Sequence, residues 1–502
     1  MQKSALFAGP PLRTLACAVL FAALSLEQGC AVGPAYVRPS VATPASFKEA
    51  APAVAPDGTT WAPASPQDAV QRGAWWKIYQ EPELDALEDR LNSSNQNIAQ
   101  AYQNFMAARA QVSQARASYA PTATLQPAAT RSGSSFAAVG VPSRGTRFTS
   151  NDFNFPLDVS WEPDLWGRIR NTVREFASAA QVSAADLANK RLSEQANLAQ
   201  DYFQLRGQDE LIALNEQTIE AYRQSLTLTE VLGRTGIDSA QSVAQARLNL
   251  KTAEASATNL RLARAQYEHA IALLIGEPAS SFSMPARPLT TALPAIPAGV
   301  PSELLQRRPD IAAAERSMSQ ANALIGVETA AFYPTVNLSL SGGFQSALLQ
   351  NWFTWPARFF SLGPSVSETL FDGGLRTATV AQYKAQYEGT VAAYRQTVLA
   401  AFQQTEDYLA AQRILATQLE QQKEVVDAAR HYYDLAMVRY RTGVDTYLNV
   451  FVAQTALFSD QQSMITLRVQ QMTSSVQLIE ALGGGWDTSL LPSEKDVTSS
   501  QD

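Results

Sequence analysis

The sequence predicts a mainly helical, internally duplicated protein with a small β part, and three observations carry that expectation. Proline, 26 in 502 residues, is missing between Pro163 and Pro278 and again between Pro364 and Pro492. Each of these stretches contains one glycine turn of the same composition. Each half of the chain also contains segments in which apolar and small polar residues alternate.

The helices come first. Proline disrupts a helix interior at a cost of about 3 kcal/mol, so proline-free stretches of 114 and 127 residues, rich in Ala, Gln, Glu, Leu and Arg, predict long helices. The first stretch turns at Arg234-Thr235-Gly236-Ile237-Asp238 and the second at Arg441-Thr442-Gly443-Val444-Asp445. A glycine after the last helical residue supplies a left-handed C-cap, and Asp two places on is a candidate cap for the returning helix. Each stretch therefore reads as a helical hairpin. The outgoing arms, Arg168 to Thr235 and Arg376 to Thr442, span 68 and 67 residues. At 1.5 Å per residue an unbroken arm is about 100 Å long. Gly207 and Gly389 interrupt them, as bends, as close approaches between helices or simply as tolerated glycines. The returning arms, Asp238 to Ile275 and Asp445 to Leu482, are 38 residues each and end at Gly276 and Gly483.

The matched lengths indicate duplication. A shift of 207 places Arg234, Thr235, Gly236, Asp238, Val243 and Gly276 on Arg441, Thr442, Gly443, Asp445, Val450 and Gly483. A shift of 213 places Ile98, Ala99, Pro121, Thr122 and Leu125 on Ile311, Ala312, Pro334, Thr335 and Leu338. The predicted organisation is a targeting segment at 1–29, an extended segment at 30–80, a first repeat at 81–277, a proline-rich linker at 278–308, a second repeat at 309–485 and a disordered tail at 486–502.

Each repeat opens with a shorter helix, Leu84 to Tyr119 and Ile311 to Phe332, that stops before a Pro-Thr step. Beyond that step the period changes to two. Phe153, Phe155, Leu157, Val159 and Trp161 alternate with polar residues, as do Val336, Leu338 and Leu340, and then Phe360, Leu362 and Val366. A Ser/Thr-rich stretch at 122–138 adds a fourth strand. Strands of about 10 residues cross a bilayer at a tilt, small neutral side chains suit a wet lumen, and the aromatic connection from Gln345 to Phe360 suits a membrane interface. Four strands cannot close a barrel, and an open edge cannot face lipid. Several protomers must share one barrel.

The start of the chain reads as a signal peptide. Lys3 and Arg13 precede the twelve-residue apolar run Leu15 to Leu26, which is too short for the roughly 20 residues a spanning helix needs. Gly29-Cys30 closes it and predicts cleavage and lipidation of Cys30, although Leu26 lies one place earlier than a lipoprotein box usually has it. Ala31 permits outer-membrane sorting.

Composition removes most other functions. Net charge is −7, which argues against a phosphate-binding nucleic-acid protein. With two cysteines and two histidines, and no P-loop, nucleophile elbow, HExxH or GxGxxG motif, no enzyme, metal or cofactor is expected. His269 and His431 stand isolated on helices, and the abundant hairpin carboxylates need no purpose beyond a solvated face.

Cys30-Ala-Val-Gly-Pro-Ala-Tyr-Val-Arg-Pro39, Trp75-Trp76, Leu304-Leu-Gln-Arg-Arg-Pro-Asp-Ile311 and the paired Arg-Thr-Gly turns resemble the outer membrane factor family, the TolC-like ducts, and within it the NodT or OprM-like lipoproteins. The resemblance covers about residues 30 to 485. It implies a homotrimer with one twelve-stranded outer-membrane β-barrel and a periplasmic α-barrel. Such a duct passively releases small molecules delivered by an inner-membrane resistance-nodulation-division (RND) pump through a periplasmic adaptor, or serves type I protein secretion. A periplasmic coiled-helix protein without a pore is the reading from a different class. The resemblance also places Arg234, Thr235, Gly236, Arg441, Thr442 and Gly443 at adaptor-docking tips, and Tyr440 in a network that holds the entrance shut. Asn449 and Val452 stand where many relatives carry acidic residues that constrict the entrance. Together with Ser242, they are expected to face the lumen.

Overall fold

The computed structural model describes residues 32–49, 73–134, 148–294, 296 and 301–499. The signal segment and Cys30 lie outside the described residues.

Two short helices, α1 (Pro82–Ser94) and α2 (Gln96–Ala117), open the first repeat. A single helix was expected there. Asn95 breaks it: its backbone is extended (φ −66°, ψ 124°), and its side chain caps α2 by accepting from the Ile98 N–H at 3.0 Å. Strands β1 (Thr122–Leu125), β2 (Ala128–Ser134) and β3 (Phe148–Trp161) follow. Helices α3 (Arg168–Arg234) and α4 (Ala240–Leu274) then form the first hairpin. After the linker, α5 (Pro309–Ala330), β4 (Thr335–Ser346), β5 (Arg358–Ser367), α6 (Leu375–Arg441) and α7 (Tyr447–Ala481) repeat the pattern. Both outgoing helices have 67 residues and both returning helices 35, so the duplication is one of structure as well as sequence.

The sheet is antiparallel in the order β1/β2–β3–β4–β5. β1 and β2 both pair with β3 in one unbroken register, Thr122 opposite Ser160 through Ser134 opposite Phe148. They form one strand interrupted at Pro127, which has no N–H to give the ladder. The four expected strands are therefore present. The register puts Leu125, Phe155, Leu157, Val159, Leu338, Leu340, Phe360, Leu362 and Val366 on one face and Thr124, Asp158, Ser160, Asn337, Ser339, Ser341 and Ser365 on the other.

The largest core lies midway along the hairpins, where Trp75, Trp76, Tyr79, Leu84, Tyr202, Phe203 and Val476 are buried together. Gly207 sits here because a Cβ would fall 2.3 Å from a methyl of Val469 on α7, so this glycine marks a close helix approach. A Cβ on Gly389 would meet open space, so that glycine is merely tolerated. The linker is pinned to the hairpins by charge. Arg206 donates to Glu83, Asp209 and the Pro285 carbonyl at 2.6–2.8 Å, and Arg308 forms a fork with Asp310 and donates to the Ala481 carbonyl.

The tail is ordered over 486–499, against expectation. Ser493 and Asp496 form a capping box on helix α8 (Glu494–Thr498), and Val497 is buried beside Val112, Ala177 and Ala180. Apolar burial of one residue together with the cap holds a segment whose composition alone reads as loop.

Candidate functional site

The hairpin tips farthest from the sheet bring most of the predicted residues together. Gly236 and Gly443 adopt φ 76° and 72°, and each tip closes with a six-residue bond, Ile237 N–H to Leu232 carbonyl and Val444 N–H to Arg439 carbonyl, both 3.0 Å. A Cβ at either glycine would meet nothing within 4 Å, so the left-handed backbone alone demands glycine. Thr235 and Thr442 turn their hydroxyls back onto helix carbonyls, while Arg234, Arg441, Ile237 and Val444 are exposed at the tips.

Asp238 and Asp445 do not cap the returning helices as expected. Those helices begin two residues later, so Ser239 caps α4 by accepting from the Ser242 N–H at 3.1 Å, and Thr446 holds the equivalent place. The carboxylates are thereby released for other partners, which differ between the turns. Tyr440, buried to 4% exposure near the end of α6, donates its hydroxyl to Asp238 at 2.7 Å and lies 3.1 Å from the Thr229 hydroxyl, so it bridges the two hairpins. Its ring packs on Tyr447 at 5.6 Å within a cluster of Ala246, Ala436, Met437, Val450 and Ala453. Burial, followed by the Asp238 carboxylate, pushes the Tyr440 phenol well above its ordinary range, so it remains a donor. Burial raises Asp238, but bonds from Ser242, Tyr440 and the Ser239 N–H outweigh it and leave the carboxyl below its usual value.

Asp445 looks inward to its own hairpin. It accepts from the Thr446 N–H at 2.9 Å, from the Asn449 amide at 2.5 Å and from Arg439 at 3.2 Å, and these bonds also lower its pKa. Asn449 is half-buried and Val452 is 47% exposed one turn further along α7. Asp238 was read from the sequence only as a helix cap, and Thr229 and Arg439 were not singled out. The available signal was the mismatch at a shift of 207, where Gly233 stands opposite Tyr440 in an otherwise matched turn. His269 and His431 are exposed, and no cluster able to hold a metal occurs among the described residues.

At the other end, residues 32–47 form a strap that runs along the helices from the sheet–helix junction. The Val32 N–H donates to the Trp166 carbonyl, Asn171 donates to the Val32 carbonyl, and Asn322 donates to the Pro34 carbonyl. Tyr36 donates to Glu315 at 2.6 Å, and Phe47 is buried with Leu304, Leu409 and Leu478. Trp166 stacks on Tyr333 at 4.9 Å and donates to the Pro334 carbonyl, at the level where β3 gives way to α3. No helix among the described residues is long and apolar enough to cross a membrane. The one-sided sheet, with an apolar face and a Ser/Thr/Asn face, is the membrane-crossing element.

A strand quartet apolar on one side, mounted on helical hairpins of about 100 Å, is one protomer of a duct that joins an outer-membrane β-barrel to a helical barrel. The chain belongs to the outer membrane efflux protein family, whose model matches residues 87–277 and 300–484. It is 32% identical over 466 residues to the antibiotic efflux pump outer membrane protein ArpC of Pseudomonas putida, covering 91% of this chain and 93% of that protein. It is 30% identical over 480 residues to the pyoverdine export outer membrane protein OpmQ of Pseudomonas aeruginosa, covering 93% and 97%. Among solved structures, the outer-membrane channel OprN superposes with a TM-score of 0.82 at 29% identity, over 91% of this chain and all of that one. The open state of the Neisseria gonorrhoeae MtrE channel superposes with a TM-score of 0.78 at 26% identity, over 91% and 98%. The protein is an outer-membrane efflux channel, and its family is one of ducts rather than enzymes.

Proposed function

We propose that three copies of this chain close one twelve-stranded barrel and one helical tunnel, forming the exit duct for an inner-membrane RND pump. The observation that carries this is the sheet itself. Its edges, β1/β2 on one side and β5 on the other, have no strand partner among the described residues, and its outer face is apolar. Lipid offers no hydrogen bonds to such edges, so the β5 edge of one copy must meet the β1/β2 edge of the next around a ring. The adaptor docks at Arg234, Thr235, Gly236, Arg441, Thr442 and Gly443, where exposed backbone turns permit close approach. Tyr440 and Asp238 latch the entrance, and Ser242, Asn449 and Val452 line it. A lipid on Cys30 fits the strap, because Val32, two residues on, is bonded to Trp166 at the sheet–helix junction.

Relatives are named for efflux of antibiotics and toluene and for export of pyoverdine, which supports small organic substrates over secreted proteins. Two measurements test the proposal. Purified protein should run as a heat-modifiable trimer and conduct in planar bilayers, and a deletion strain should become sensitive to antibiotics or toluene. A deletion that leaves sensitivity unchanged but abolishes secretion of a protein would move the duct to type I export. Absence of conductance would remove the pore.

A further inference from the structure

The strands carry four charged residues among those described, Arg131, Asp152, Asp158 and Arg358, and the register sorts them by sign. Arg131 pairs with Asn151 and Arg358 with Phe344, which itself pairs with Phe155. Both arginines therefore share the apolar face. Asp152 and Asp158 pair with Thr130 and Thr124 on the polar face. Both arginines also lie toward the strand ends far from the helices, since β2 runs away from α2 and β5 begins at the far loop.

That loop bends outward. Trp352 and Phe353, stacked on each other at 5.0 Å, pack against Phe153, Phe155 and Phe344, all on the apolar face. Trp355 is 75% exposed beside them, with the Arg358 guanidinium lying over its ring and the Arg358 Nε donating to its carbonyl. The aromatic wedge thus sits on the lipid side of the barrel rim, on the opposite face of the sheet from its Ser/Thr/Asn side chains. An arginine on a lipid-facing strand costs about 2–4 kcal/mol at mid-membrane and little near the interface, where a phosphate can meet it. No acidic side chain shares that face of the strands to neutralise either arginine.

We infer that Arg131, Arg358 and the Trp352–Trp355 wedge form a seat for a phosphate-bearing glycolipid of the outer leaflet, with sugar and acyl chain lying along the aromatics and each phosphate meeting an arginine. This inference rests on the outer-membrane placement of the sheet and not on how the tips are gated. The test uses the full-length protein in vesicles of phosphatidylcholine doped with a bis-phosphorylated glycolipid, with its dephosphorylated form or with phosphatidylglycerol, and measures the lipid retained after purification and the salt dependence of retention. Conductance is recorded on the same samples, so loss of the pore is distinguished from loss of the lipid. The phosphorylated glycolipid should be retained most tightly, and Arg131→Gln with Arg358→Gln should weaken retention roughly 30-fold while conductance is unchanged. Trp355→Ala should weaken retention of both glycolipids. Equal retention of the phosphorylated and dephosphorylated forms, equal retention of phosphatidylglycerol, or indifference to the double substitution in a conducting sample would each overturn the inference.

Discussion

The two hairpin tips have the same turn and different loyalties. Both read Arg-Thr-Gly-x-Asp, both use a left-handed glycine, and both end a 67-residue helix. Yet Asp238 is held by a tyrosine from the other hairpin, whereas Asp445 is held by Arg439 and Asn449 of its own. One position makes the difference. Gly233 in the first repeat stands where the second has Tyr440, and only the tyrosine is long enough to cross. Duplication supplied two equivalent tips, and a single divergent residue ties one of them to the other hairpin.

The largest test of that contrast removes the latch. A buried hydrogen bond to a charged acceptor is worth about 1.5–3 kcal/mol, so Tyr440→Phe should shift the closed-to-open balance of the entrance roughly 10- to 100-fold toward open. Single-channel recording of the reconstituted duct reads this as raised open probability. Asp238→Asn should act in the same direction, and Asp445→Asn, at the matching place, should leave gating near wild type. Equal effects from the two aspartates would erase the distinction.

Acid provides a second, reversible way in. The folded-state pKa of Asp238 is depressed, so its contribution is complete above the ordinary carboxylate range and is lost as pH falls through the lowered value. Tyr440, with its pKa raised, stays protonated throughout. The entrance should therefore hold at pH 5 and loosen only below about pH 4, the usual aspartate value. Tyr440→Phe should abolish that step, and Asp445→Asn should preserve it.

The shared geometry predicts equality. Gly236→Ala and Gly443→Ala meet no neighbour and differ only by 4° in φ (76° − 72°), so each should destabilise its tip by about 1 kcal/mol through left-handed strain. Hydrogen exchange of the tip amides should register the two losses alike, and a much larger loss at one tip would show that its turn is not the simple C-cap described.

Much of this architecture was legible in the chain because its signals are local. Proline-free runs, turn glycines and period-two alternation each depend on neighbours a few residues apart, and they gave the hairpins, the tips and four strands. The break at Asn95 was missed because one extended residue between two helical sequences alters no period. Tyr440 was placed in a closing network by resemblance alone, and its partner was missed for a different reason, since Tyr440 and Asp238 stand 202 residues apart and meet only after both hairpins have packed. The aspartate was visible, but sequence logic assigned it to capping, and Ser239 had already filled that role. The strap and the ordered tail likewise depend on distant surfaces, those of Trp166, Glu315 and Val112.

The smallest predicted effect separates the tips by their supporting donors. Ser242 and Asn449 occupy matching places at a shift of 207, and each donates to the aspartate of its own turn. Ser242→Ala removes one bond that favours the charged form of Asp238, so that carboxyl rises toward its ordinary value and acid loosening should begin at a slightly higher pH. Asn449→Ala raises Asp445 by the same reasoning, but no bond from the other hairpin depends on that charge. Its open probability across pH 3–7 should follow the parent curve. A displaced curve would mean that the second tip also signals across the hairpins, through Arg439 once its aspartate is neutralised.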